Sequence, residues 1–275
     1  MPTVVQWIKV PCDHELRQVH MRQVNLVCIT HGHKDIWHRN EWQRHKPGQL
    51  LLFAAQTQWR LHNHPDSSGT YVAQVLAVPD ACLQKFHQQH PDPPAQRQSD
   101  LKTVTLTGEL QKAWQRVNAP EMADASVALT QHRVMELLLI LAESGHTFES
   151  ADDRLLQNQI HALIHQNPEK SWNVSNLAER FHMSSSTLLR RLRVEGTSAS
   201  QCVREARLER ALNLLQTTRQ PIGHIAETCG YSSHSRFSSA FEQQFGILPI
   251  KLRQQIQPGK IQQAKKTPMQ SMIGV

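Results

Sequence analysis

The chain has 275 residues, enough for about two domains with a core each. Charged residues make up 19% and aromatics 5%, and no run approaches the roughly 18 apolar residues of a helical membrane span, so disordered and helix-spanning membrane classes are not expected. The net charge of +7 is uneven: residues 1–151 hold 14 Lys+Arg and 14 Asp+Glu, whereas residues 152–275 hold 16 and 9. All the positive excess falls in the second half, which points to a polyanionic partner there, with a merely basic surface as the alternative. The start of the chain lacks a basic region followed by an apolar block, so no signal peptide is expected. Five cysteines, odd in number and never spaced C-x-x-C, suit reduced thiols in the cytoplasm rather than a disulfide framework or zinc finger.

From Val24 to about Val78, short apolar runs alternate with turn residues: Val24–Ile29, Gln49–Phe53, Gln58–His62 and Thr70–Val78, punctuated by Gly32, Pro47-Gly48 and Ser67-Ser-Gly69. This spacing predicts a small antiparallel barrel or sandwich. Residues 90–99, with three prolines, read as a surface loop. Helices are predicted over Glu109–Val117 and Asp124–Ser144, the second apolar enough to need burial on more than one side and ended by Gly145. The polar stretch 146–153 is taken as a linker between domains 1–145 and 154–254.

Beyond it the pattern is wholly helical. Arg154–Gln166 carries Leu156, Ile160 and Ile164 on one face. Then Val174–Phe181, the turn His182-Met183-Ser184 and the helix Ser185–Val194 form a unit closed by Gly196. A longer helix, Ser198–Leu215, leads to a second unit of the same grammar: Ile222–Cys229, the turn Gly230-Tyr231-Ser232 and His234–Phe245. Short helix, tight turn and amphipathic second helix make a helix-turn-helix, whose second helix can lie in a DNA major groove. Helical hairpins are common, but two copies joined by one helix in the basic half are far more specific. The tail 255–275 is expected to be disordered, its Lys260, Lys265 and Lys266 electrostatic at most.

The run Ile225-Ala226-x-x-Cys229-Gly230-Tyr231-Ser232-x-x-Ser235-x-Phe237-Ser238-x-x-Phe241-x-x-x-Phe245-Gly246-x-x-Pro249-x-x-x-Arg253 resembles the signature of the AraC/XylS transcriptional regulators. Glu195-Gly-Thr-Ser198 and Arg207-Leu-x-x-Ala211-x-x-Leu214-Leu215 fall where that family joins its two motifs. Within the family, the first motif is most similar in tone to enteric virulence and stress activators. The resemblance implies an α+β protein of two domains, a cupin-like β-barrel with dimerisation helices followed by an all-α double helix-turn-helix. It also implies a sequence-specific regulator, an activator reading two consecutive major grooves, cytoplasmic and nucleoid-associated. The implied partners are promoter DNA, RNA polymerase, a second copy of the chain and a small-molecule effector.

Ser184–Val194 and Ser233–Gln244 are then the implied recognition helices. In the first, Leu188 and Leu192 face inward and leave Ser185, Ser186, Leu189, Arg190 and Arg193 toward the groove. Arg190 is the leading candidate for a bidentate guanine contact, with a phosphate contact as the alternative. In the second, Phe237, Ala240 and Phe241 pack inward, leaving His234, Ser235, Ser238 and Ser239 outward. These short side chains suit backbone positioning, so the first motif is expected to carry more specificity. Ser184 and Ser233 are expected to cap helices whose N-termini meet phosphates. Arg204, Arg207 and Arg210 read as a solvated face balanced by Glu205 and Glu209.

In the N-terminal half, family analogy places an effector pocket near Trp37, Trp42, Phe53 and Trp59, and a dimer contact on Val127, Val134, Leu138 and Leu141. His31-Gly-His33 and His62-Asn-His64 could each present two imidazoles on one strand face, with Glu41 and His45 nearby. Their spacing departs from that of cupin metalloenzymes, so they are read as solvated or packed histidines, and no metal, cofactor or catalytic residue is expected. The competing reading is a cupin-type metal enzyme with an attached DNA-binding module.

Overall fold

Leu26–Ile29 and Leu50–Phe53 are apolar at every position because both faces of their strands are covered. Val27, Ile29, Leu51 and Phe53 point into one core, while Leu26, Cys28, Leu50 and Leu52 point into another. In the computed structural model, which describes residues 5–90, 97–98, 100–149 and 155–256, these strands lie inside a five-stranded antiparallel sheet. Its members are β1 (Gln6–Val10), β3 (Asn25–His31), β6 (Gln49–Phe53), β8 (Tyr71–Ala77) and β10 (Leu101–Thr105), in the order β1-β8-β3-β6-β10. A second, four-stranded sheet runs β2-β7-β4-β5, from β2 (His14–Met21), β4 (His33–His38), β5 (Glu41–His45) and β7 (Thr57–His64).

The two sheets face each other across Val27, Phe53, Tyr71, Ile36, Trp59 and Leu61. They do not close into a barrel, so the expected cupin-like barrel is instead a pair of open sheets. The outer face of the larger sheet carries α1 (Asp80–Gln89), α2 (Gly108–Val117) and α3 (Val127–Glu143). In α3, Val134, Leu138 and Leu141 are buried against Leu110, Trp114 and the sheet, and only Val127 of the expected dimer contacts is exposed, at 55%. Val134, Leu138 and Leu141 thus belong to the chain's own core rather than to an open surface. Two short strands, β9 (Arg97–Gln98) and β11 (Thr147–Phe148), pair in parallel. The remainder of the proline-rich loop (91–96 and 99), linker residues 150–153 and the tail from 257 lie outside the described residues.

The helical region consists of α4 (Leu156–Gln166), α5 (Val174–Arg180), α6 (Ser185–Val194), α7 (Ala199–Thr217), α8 (Ile222–Thr228), α9 (His234–Phe245) and α10 (Pro249–Ile256). The first motif has a core of its own, in which Leu156, Ile160, Leu177, Leu188, Leu192 and Cys202 meet. Glu195 closes it from the end of α6, accepting hydrogen bonds at 2.8 Å from the backbone nitrogens of Leu156 and Gln157. The second motif has no separate core: Leu212, Ile225, Phe237, Phe241, Phe245 and Leu252 join the one that fills the space between the sheets. Helix α7 serves both, its first half in one core and its second half in the other.

Charge reinforces this junction. Arg22, between β2 and β3, donates to Glu205 at 2.6 Å and to Glu209 at 3.2 Å, both on α7. Glu205 and Glu209 therefore turn toward the N-terminal domain instead of balancing Arg204, Arg207 and Arg210. Burial pushes the Glu209 carboxyl up to about 7 even with Arg22 beside it.

Candidate nucleic-acid interface

Each motif builds its second helix in the same way. A serine stands just ahead of the first turn and accepts a hydrogen bond from the third backbone N–H: Ser184 from Thr187 in α6, and Ser233 from Arg236 in α9. Buried residues four apart then fix the rotation, Leu188 and Leu192 in α6, and Phe237, Phe241 and Phe245 in α9. With about 100° per residue, the opposite face of α6 centres on Arg190, flanked by Ser186 and Arg193. Ser184, Ser185, Ser186, Arg190 and Arg193 are exposed, as is Leu189 at 42%. All six residues predicted for the first motif are thus exposed, with Ser186, Arg190 and Arg193 on the face opposite Leu188 and Leu192.

In α9 the same geometry sharpens the sequence reading. His234, Ser235 and Ser239 are exposed, whereas Ser233 and Ser238 are half-buried. The face opposite the three phenylalanines centres on Ser239 and includes Arg236, an exposed guanidinium in the first turn that the sequence reading passed over. The signal was present in the heptad: once Phe237, Phe241 and Phe245 are all placed inward, Arg236 falls close to the outward axis. The second helix is therefore not a purely serine surface.

A groove runs between the motifs, lined by Trp172, Arg204, Arg207, Tyr231, Arg236 and Ser239. Arg207 is committed to structure: it donates to the backbone carbonyls of Pro168 at 3.0 Å and Lys170 at 2.8 Å and lies over the Tyr231 ring. Burial lowers its pKa from the usual arginine value. Arg204 pairs with Gln243 of α9.

The four residues expected to line an effector pocket are not brought together. Phe53 and Trp59 pack edge to face between the sheets at 5.5 Å, whereas Trp37 and Trp42 meet at 5.4 Å on the outer face of the smaller sheet, 37% and 38% exposed. Between the sheets lies a different polar group that sequence reasoning missed. Lys34 is buried, donates to Asn63 and lies over the Tyr71 ring at 5.3 Å. Burial lowers its ammonium to about 7 and the neighbouring His14 and His45 imidazoles to about 3 and about 4. Nor do His31, His33, Glu41 and His45 form the cupin-type set: His45 points inward, His31 is exposed, and His33 joins other residues on the outer face.

Among known proteins, residues 177–255 match a family model described as a helix-turn-helix domain. The transcriptional regulator GadX of Escherichia coli is 33% identical over 99 residues, which is 36% of each chain. The porin thermoregulatory protein EnvY of Escherichia coli is 30% identical over 122 residues, 44% of each chain. The urease operon transcriptional activator of Escherichia coli is 27% identical over 139 residues, 49% of this chain and 47% of that one. These alignments span between about a third and a half of the relatives' lengths. The fold extends further: fatty-acid-bound ToxT from Vibrio cholerae superposes with a TM-score of 0.67 over 94% of this chain and 96% of that one, at 13% identity. Among the described residues, no helix is long and apolar enough to cross a membrane. The chain thus carries, behind two sheets arranged as in ToxT, a helix-turn-helix domain similar to those of GadX, EnvY and the urease operon transcriptional activator.

Proposed function

We propose that this chain is a sequence-specific transcription regulator, an activator, that sets α6 and α9 into consecutive major grooves and is modulated through its N-terminal domain. The observation that carries the reading is the pair of serine-capped helices, each with its apolar stripe buried and its arginine-bearing face free, held at the two ends of one helix. The basic excess of residues 152–275 supports a phosphate-rich partner. Activation is supported by a relative named for it, the urease operon activator. RNA polymerase, a second copy of the chain and a place in the cytoplasm at the nucleoid come with the family resemblance.

Modulation is supported by Lys34. Among the described residues no carboxylate pairs with this buried ammonium, so an anionic small molecule is the class of effector that would neutralise it. ToxT, which shares the fold, was solved with an unsaturated fatty acid bound.

The test is a comparison of wild-type chain and Arg190→Ala on the operator found by genome-wide footprinting and on random duplex. Wild type should prefer its operator by several orders of magnitude. Arg190→Ala should lose about 1–3 kcal/mol on the operator and far less on random DNA. Equal losses on both would place Arg190 on phosphate, and no preference in wild type would overturn sequence-specific reading altogether.

A further inference from the structure

The outer face of the smaller sheet carries a group of residues that DNA binding does not use. Strands alternate, and on β4 the inward positions are Lys34 and Ile36, so His33 and Asp35 point out. On β7, Leu61 and Asn63 point in, so His62 and His64 point out. The antiparallel register sets His33 opposite His64 and Asp35 opposite His62. Three imidazoles and a carboxylate therefore share one patch, on the face opposite the space between the sheets.

We infer that this patch binds one divalent transition-metal ion through His33, His64 and Asp35, with zinc the ion best suited to such nitrogen and carboxylate donors. The donor atoms of these three residues all lie within 4.8 Å of one another. The His33 and His64 rings stack at 4.4 Å, and His64 Nε2 lies 3.1 Å from an Asp35 carboxylate oxygen. The Nε2 atoms of His33 and His64 are both shielded from solvent; that of His33 has no hydrogen-bond partner, and that of His64 faces the Asp35 carboxylate as an ion pair outside hydrogen-bond geometry. A shielded imidazole nitrogen without a partner, beside a second imidazole and a carboxylate, is an arrangement that a metal ion completes and that packing alone leaves costly.

The surrounding residues orient the three donors. Asp13 Oδ1 lies 3.0 Å from His64 Nδ1, the contact by which a carboxylate holds a ligating imidazole with its other nitrogen free for metal. Arg44 grips Asp35 with two hydrogen bonds, at 2.9 and 3.0 Å, fixing the carboxylate on β4. Two carboxylates against one guanidinium leave the patch a negative charge toward a cation. The His62 ring stands 3.8 Å from that of His64, and its donor atoms group with Asp13 and His64 rather than with His33 and Asp35. Because the ligands sit on two hydrogen-bonded neighbouring strands, closing on an ion requires side-chain rotation and no movement of backbone. The sequence pairing His31-Gly-His33 misled because only one histidine of that pair contributes; the partner comes from β7.

Co²⁺ titration of the full chain, read by visible absorption and by competition with Zn²⁺, tests the site, with metal content after desalting giving the stoichiometry. Wild type should take up one equivalent. His64→Gln and His33→Gln should each weaken binding by at least 100-fold, and Asp13→Asn by about 10–100-fold. His31→Gln, an exposed histidine outside the group, should bind as wild type. Circular dichroism checks that each variant folds, and His33→Gln decides the matter if His64→Gln does not. Binding in wild type no tighter than in His33→Gln, or an equal loss in His31→Gln, would overturn the assignment.

Discussion

Arg22 Nη2 lies 2.6 Å from Glu205 Oε2, so a residue of the sheet domain is fixed to the helix that joins the two helix-turn-helix motifs. With the side chains of Arg22, Glu205 and Glu209 all less than a quarter exposed, removing the cation leaves two carboxylates half-desolvated on α7. Arg22→Met should therefore cost about 2–4 kcal/mol of stability. Amide exchange should speed up along α7 and β1, and the triple variant with Glu205→Gln and Glu209→Gln should recover most of the loss. An unchanged melting temperature in Arg22→Met would show that the apolar core alone holds the junction.

A second prediction concerns pH. Lys34 is held near 7 in the folded chain against 10.5 when free, so the unfolded state binds the extra proton between those values. Stability contributed at this position should rise as pH increases from about 7 toward 10.5 and be lowest below pH 7. Lys34→Met should remove that slope and stabilise the chain at pH 7 by an amount on the order of 2 kcal/mol, measured by denaturant unfolding across the range. A steeper slope in the variant than in wild type would contradict the account.

The two turns differ in a way that predicts opposite responses. The second motif turns through Gly230 at φ +79°, where an added Cβ would sit 2.4 Å from the Pro168 carbonyl oxygen. Gly230→Ala should destabilise by about 2–4 kcal/mol. The first motif makes the same turn with His182 at φ 53°, exposed and strained. His182→Gly should stabilise by up to about 1 kcal/mol, and thermal melts of the two variants should move in opposite directions.

On DNA, Arg236→Ala should weaken operator binding about tenfold, confined in a hydroxyl-radical footprint to the half of the site covered by α9. Loss at both halves would mean that Arg236 supports the fold of the domain rather than touching nucleic acid.

Legibility followed periodicity. The helical half was readable because Leu188 and Leu192, or Phe237, Phe241 and Phe245, recur at helical spacing between a serine cap and a glycine stop. Eight helical segments from residue 108 onward were anticipated within a few residues. Helix α10 was not, because only Leu252 and Ile256 among its apolar residues after Pro249 are buried, too short a pattern to read. Strands β2, β4 and β5 were missed for a different reason: one face is solvated and laden with His, Arg and Asp, so Ile36 stands alone between charged and aromatic neighbours. Lys34 was invisible as a buried residue because composition marks lysine as surface, and only the alternation around Ile36 turns it inward. The solvent-facing positions of α6 were read from spacing, whereas Arg236 needed the full set of three phenylalanines to show its direction.

Helix α7 runs unbroken from Ala199 to Thr217, rooted at one end in the core of the first motif and at the other in the core shared with the sheets. It therefore sets the angular phase of one helix-turn-helix motif against the other, and under the proposed function that of the two recognition helices. One residue inserted at its middle would advance the second motif by about 1.5 Å and swing it by about 100° about the axis. Such a change leaves each motif intact yet puts the pair out of step with the pitch of the double helix, so this chain should tolerate drift in the bases of its operator far better than drift in their spacing.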